Sequence, residues 1–116
     1  MAQRSPSFMN GVPELLILRL LQGREMYGYE LVQAIRKETN DVVRLGEGVV
    51  YPALHALEKQ RALKSRRKDF NGRTRVYYSV TASGAKRLSA LSEQWSRLMS
   101  AIGNIIREDR HASASI

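Results

Sequence analysis

The sequence has no cysteine and only two histidines, His55 and His111. Disulfides, thiolate metal sites and cysteine nucleophiles are therefore excluded, and neither a histidine-based triad nor a histidine metal cluster can be assembled. A GxxxxGK phosphate loop is also missing. These absences argue against an enzyme and against a bound metal or cofactor. Long apolar runs are lacking too. The longest, Val12 to Leu21, is interrupted by Glu14 and Arg19 and is about half of the ~20 residues a membrane span needs, so it reads as a buried helix. No apolar core followed by a small-residue cleavage site occurs before Gly11, which makes the cytoplasm the expected location and a membrane an unexpected partner.

What is there is a chain of 116 residues, 43% hydrophobic and 26% charged, the balance of an ordinary globular domain. That length suffices for one core but not for a separate regulatory domain beside it. Any ligand site must share the core or a subunit interface. Acidic residues are scarce, 11 against 19 Lys and Arg, for a net charge of +8. The excess is concentrated. Between Lys59 and Arg75 eight basic side chains accompany one acid, Asp69, so this segment carries +7. A compact basic patch is what contact with a phosphate backbone requires.

Periodicity predicts the elements. Val12 to Leu21 forms a helix that is apolar on most sides, with Pro13 in its first turn and Gly23 at its end. A second helix spans Tyr27 to Glu38, with Tyr27, Leu31, Ala34 and Ile35 on one face, and Asn40 and Asp41 break it. A third runs from about Gly48 to Gln60. Its stripe Val50, Leu54, Leu57 points inward, which leaves Pro52, His55, Ala56 and Lys59 outward and Tyr51 on a flank. Ala62 to Lys68 and Thr74 to Val80 are two short runs around Asn71-Gly72, the pair whose positive φ a tight hairpin turn needs. In the second run Val76, Tyr78 and Val80 alternate with Arg75, Tyr77 and Ser79, as in a half-buried strand. Thr81 then suits the N-cap of a last helix reaching roughly Arg107. Its residues Leu88, Leu91, Trp95, Leu98, Ile102 and Ile105 fall at heptad spacing. An apolar seam of that length on a single projecting helix calls for a partner, and a second copy is the simplest one.

Three helices, a basic hairpin and a long helix give the fold class: mainly α (α+β), a winged helix-turn-helix with a C-terminal dimerisation helix. The expected division is a flexible arm (1–10), a DNA-binding domain (11–81), the dimerisation helix (82–108) and a disordered tail (109–116). A helix fits the major groove of B-DNA, and a protruding hairpin reaches the neighbouring backbone or minor groove. The candidate contacts to double-stranded operator DNA are Tyr51, Pro52, His55 and Lys59 on the third helix and Lys64, Arg66, Lys68, Arg73 and Arg75 on the hairpin. Tyr51 and Tyr77 fit either DNA contact or packing, whereas alternation puts Tyr78 in the core.

At this point several motifs align with one family. Leu15 to Leu21, Met26-Tyr27-Gly28-Tyr29-Glu30, Gly46 to Leu54, Leu57-Glu58-Lys59, Gly72 to Tyr78 and Thr81-Ala82-Ser83-Gly84 follow in order, and from about residue 11 to 107 the chain resembles the PadR family of transcriptional regulators. The short last helix is similar to the smaller branch of that family. The resemblance implies a dimeric repressor, and in part of that branch an aromatic compound bound between the subunits. Trp95 and the adaptable Met99 beside it would then be the effector contacts; without an effector, Trp95 is ordinary dimer packing. Two positions depart from the family pattern. Val49 stands where Thr or Ser is usual, and Arg61 stands where Gly usually follows the helix. The alternative function is a winged-helix module for protein interaction or RNA binding, against which the deep major groove of A-form RNA argues.

Overall fold

The computed structural model describes residues 11–107; the expected arm (1–10), the tail (109–116) and residue 108 of the expected last helix lie outside the described residues. The chain runs α1 (Val12–Gly23), β1 (Met26–Tyr27), α2 (Gly28–Glu38), α3 (Glu47–Lys59), β2 (Leu63–Phe70), β3 (Arg73–Val80) and α4 (Ala82–Ile106). β1 is an element that periodicity does not announce, because two residues carry no period. It exists through pairing alone, Met26 with Tyr78 and Tyr27 with Tyr77. That pairing holds Tyr27 extended, at ψ 166°, so α2 starts one residue later than its apolar face suggests.

Local chemistry sets the remaining boundaries. α2 closes with the Asp41 N–H donating to the Arg36 carbonyl (2.7 Å) and the Asn40 N–H to Lys37 (3.2 Å). Both residues are left-handed, a conformation that short polar side chains tolerate. α3 closes in the same way, with Ala62 donating to Leu57 and Arg61 to Glu58, each at 2.9 Å. Here the left-handed residue is Arg61, at φ 65°. The hairpin turns at Asn71 and Gly72, with φ of 51° and 76°, the two positive values a type I′ turn needs.

β1, β3 and β2 form one antiparallel sheet in that spatial order. Its inner face adds Met26, Leu63 and Tyr78 to a core built from Ile17 and Leu18 of α1, Leu31 and Ile35 of α2, and Val50, Leu54 and Leu57 of α3. α4 is held at its beginning. The Thr81 hydroxyl accepts from the Gly84 N–H at 3.0 Å, and Leu88 joins the core. Arg87 bonds both Glu14 of α1 and, at 2.5 Å, Gln60 at the end of α3. Beyond Leu91, α4 leaves the body of the molecule. The radius of gyration is 17.3 Å, against roughly 13 Å for a compact chain of about this size. Among the described residues no helix is long and apolar enough to cross a membrane.

Candidate nucleic-acid interface

α3 buries one stripe and offers the other. Val50, Leu54 and Leu57 are fully buried, while Pro52, His55, Ala56 and Lys59 are exposed along the outer side. The exposed face also includes Val49, at 44%, which sequence reasoning notes only as a missing hydroxyl. The spacing Val49, Pro52, Ala56, Lys59 puts it on the same stripe, and that periodicity is the signal that could have found it. Tyr51 is half-buried against the start of α2. A Cβ at Gly28 would lie 2.1 Å from its ring, so only glycine admits the tyrosine there. Burial, then the Glu47 carboxylate, pushes the Tyr51 phenol above its ordinary range.

The hairpin's register sorts its cations by face. Lys64 lies opposite Ser79, Arg66 opposite Tyr77, Lys68 opposite Arg75 and Phe70 opposite Arg73, all on one side of the ribbon. Arg67 lies opposite Val76, on the side that carries Leu63 and Tyr78. That inner side faces α3, since the Ser65 hydroxyl donates to Glu58 at 2.5 Å. Val76 lines a crevice of about 290 Å³ with Tyr27, Tyr51, His55, Arg75 and Tyr78. By register Arg67 shares the side of the ribbon that faces α3, while Arg75, rooted on the other side, also reaches the crevice beside His55; Arg67 is a residue that the sequence alone does not single out. The parity of the run Arg66-Arg67-Lys68 cannot be read within β2 itself; it follows from Tyr78 being buried on β3.

On the outer side the cations are organised by aromatic rings and by one acid. Lys68 Nζ sits 4.2 Å from the centre of the Tyr77 ring, and the Arg75 guanidinium 4.4 Å from that of Tyr27 and 5.4 Å from that of Phe70. Tyr27 and Tyr77 meet edge to face at 5.4 Å. Glu25, which sequence reasoning missed, bonds Arg66 and Lys68. Its hydrogen bonds to Arg66 first and to Lys68 second hold its carboxyl well below the usual range, at about 2. Of the expected hairpin contacts, Arg66 and Lys68 thus carry an internal counter-ion, whereas Lys64 and Arg73 are exposed.

The model of the transcriptional regulator PadR-like family matches residues 17–90. The chain belongs to that family. Among solved structures, a transcriptional regulator from Clostridium thermocellum is similar at TM-score 0.80 with 28% identity, covering 88% of this chain and 100% of that one. A PadR-like regulator from Bacillus cereus is similar at TM-score 0.75 with 28% identity, over 88% and 98% of the two chains. The transcriptional regulator YqjI of Escherichia coli is 33% identical over 92 residues, 79% of this chain but 43% of its own length. A Lysinibacillus sphaericus protein is 32% identical over 91 residues, 78% of this chain and 84% of its own. The protein is accordingly a PadR-like transcriptional regulator with a winged-helix fold, and the hairpin β2–β3 is its wing.

In this PadR-like chain the heptad seam of α4 divides in two. Leu88 is 3% exposed within the chain's own core and Leu91 packs partly against it, so Leu88 has no surface left for a partner and leaves the expected dimer seam. Trp95 is half-buried, and Leu98, Met99, Ile102 and Ile105 are exposed. The open part of the seam therefore starts near Trp95. Spacing alone assigns Leu88 to the partner because burial within the chain and burial between chains have the same period.

Proposed function

We propose that this PadR-like regulator is a homodimeric, sequence-specific repressor that reads duplex DNA with α3 and grips the backbone with its wing. One observation carries the reading: the outer stripe of α3, from Val49 through His55 to Lys59, is exposed along its length, and Arg75 of the hairpin lines a crevice with Tyr51 and His55 of that helix. A helix of that width enters a B-form major groove, and small residues at Pro52 and Ala56 let its backbone come close to the base edges. His55 and Lys59 donate to bases or phosphates. Arg67, Arg73 and Lys64 meet phosphates without reading sequence. Tyr51 and Arg75 line the crevice between helix and wing. Residues 11–81 form the DNA-binding part, and α4 from Leu91 onward joins the two copies. With two recognition helices related by a two-fold axis, half-sites lie about one helical turn, ~10 bp, or a multiple of it apart.

The effector site belongs to the same proposal. Trp95 meets its symmetry mate across the axis beside Met99, and a planar aromatic molecule between them changes the angle of the α4 pair. A ligand that prefers the non-binding angle weakens DNA binding roughly 5- to 150-fold; one without preference changes nothing.

The test is selection of duplexes from a random pool, followed by binding of the selected site over a range of salt. Replacing Arg73 and Arg75 with Ala flattens the dependence of log K on log salt by about one unit for each phosphate that is no longer neutralised. Failure to enrich any duplex defeats the reading. Titration of planar dyes against Trp95 fluorescence, repeated with operator present, examines the effector. Quenching without loss of affinity removes the switch.

A further inference from the structure

Glu25 lies in the connection between α1 and β1, 41 residues before Arg66 and 43 before Lys68, and it draws both toward itself. Its Oε1 accepts from Arg66 Nε at 3.0 Å and its Oε2 from Arg66 Nη2 at 2.6 Å, while Lys68 Nζ donates to Oε2 at 3.1 Å. A guanidinium edge presenting two parallel N–H groups, with an ammonium beside it, is the arrangement that engages two oxygens of a phosphate. The cations are not enclosed: the Arg66 side chain is 63% exposed and that of Lys68 40%. No dry interior demands their neutralisation, and surface pairs of this kind contribute little to stability. Lys68 is also positioned independently, by its seat over the Tyr77 ring. Structural bracing is therefore a weak reason for an acid at this position, in a surface otherwise dominated by positive charge.

We propose that Arg66 and Lys68 form a phosphate site on the wing that Glu25 occupies in the free protein, so that Glu25 is an internal competitor of the DNA backbone. The proposal rests on the DNA-binding reading above. A backbone phosphate must displace the carboxylate before the wing closes on it, and the departing charge stays nearby. Because phosphates carry no sequence information, this competition lowers affinity for every duplex by the same factor. Glu25 sets how strongly the wing grips, and α3 sets where.

The experiment measures binding of the full chain and of Glu25→Gln to the selected operator and to a random-sequence duplex of about 30 bp. Both are followed as a function of salt. Removing one competing negative charge should steepen the slope of log K against log salt by about one unit and raise affinity for both duplexes roughly eightfold near 0.1 M salt. The ratio between the two duplexes should not change. The same substitution made in an Arg66→Ala, Lys68→Ala background should give no gain, because the site it vacates is gone. Weaker or unchanged binding by Glu25→Gln, with its thermal melt intact, identifies Glu25 as a brace and overturns the proposal. So does a gain that persists without Arg66 and Lys68, since the acid would then repel DNA directly. A wild-type chain that binds neither duplex overturns the DNA-binding reading and this proposal with it; the other outcomes leave that reading standing.

Discussion

The Thr81 hydroxyl donates to the Arg61 carbonyl at 2.6 Å, so the residue that opens α4 is bonded to the residue that closes α3. The Thr81 N–H donates one residue further on, to Ala62 at 3.1 Å. α3 and the projecting helix α4 are thus joined at a strained position, Arg61, alongside the bonds of Thr81 to Ala62 and of Arg87 to Gln60. Among the described non-glycine residues with positive φ, the other three are Asn40, Asp41 and Asn71; Arg61 alone has a long side chain.

Arg61→Gly relieves that position. The Arg61 side chain is exposed, so little packing goes with it. The substitution should stabilise the chain by about 0.5–1 kcal/mol, the left-handed penalty less the extra entropy of glycine in the unfolded state. Urea denaturation checks it, with an unchanged m-value expected.

Gly28→Ala works in the opposite direction. The new methyl would meet the Tyr51 ring at 2.1 Å, forcing the ring off its seat at a cost of about 1–3 kcal/mol. In a Tyr51→Ala background the same change should cost far less. The double-mutant cycle measures that coupling directly.

Val49→Ala examines the outer stripe of α3. Two methyl groups at the start of the recognition helix suit contact with a thymine methyl, worth on the order of 1 kcal/mol, so operator affinity should fall about fivefold while random duplex is unaffected. Replacing one operator thymine by uracil removes the partner methyl. At the contacted position the two effects should not add.

Glu25 predicts a pH dependence with a definite sign. Its folded value of about 2 lies below the ordinary 4.5, so whatever stability the Arg66–Lys68 cluster supplies is complete above pH 4.5 and disappears as pH falls toward 2. The stability difference between wild type and Glu25→Gln should be flat from pH 7 to pH 5 and shrink below that. Denaturation series at stepped pH supply the measurement.

Leu98→Asp examines the open end of the α4 seam. A carboxylate facing its own copy across the axis should weaken a dimer by at least roughly a hundredfold, about 3 kcal/mol. Sedimentation velocity over a range of concentration follows it. The thermal stability of the winged-helix body should change little, since Leu98 is already 40% exposed in the single chain.

These residues also mark what the sequence makes legible. The stripe of α3, the Asn71-Gly72 turn and the Thr81 cap are written in neighbouring residues, because helix period, turn geometry and capping are local physics. β1 is not, since Met26 and Tyr27 become a strand only when β3 arrives beside them. Nor is Glu25, whose role depends on partners more than 40 residues away. The division of the α4 seam at Leu91 is hidden for another reason: a heptad records that a face is apolar and says nothing of which chain covers it.

The outer half of α4 carries a further consequence. Leu98, Met99, Ile102 and Ile106 are each at least 39% exposed, and helical turns that bury so little of their apolar face are marginal in water. In an unpaired copy these turns would fray, and pairing would wind them again. Helix content therefore becomes a gauge of how much protein is present: the far-ultraviolet dichroism per residue should deepen on concentration and fade on dilution, reporting subunit occupancy without any label.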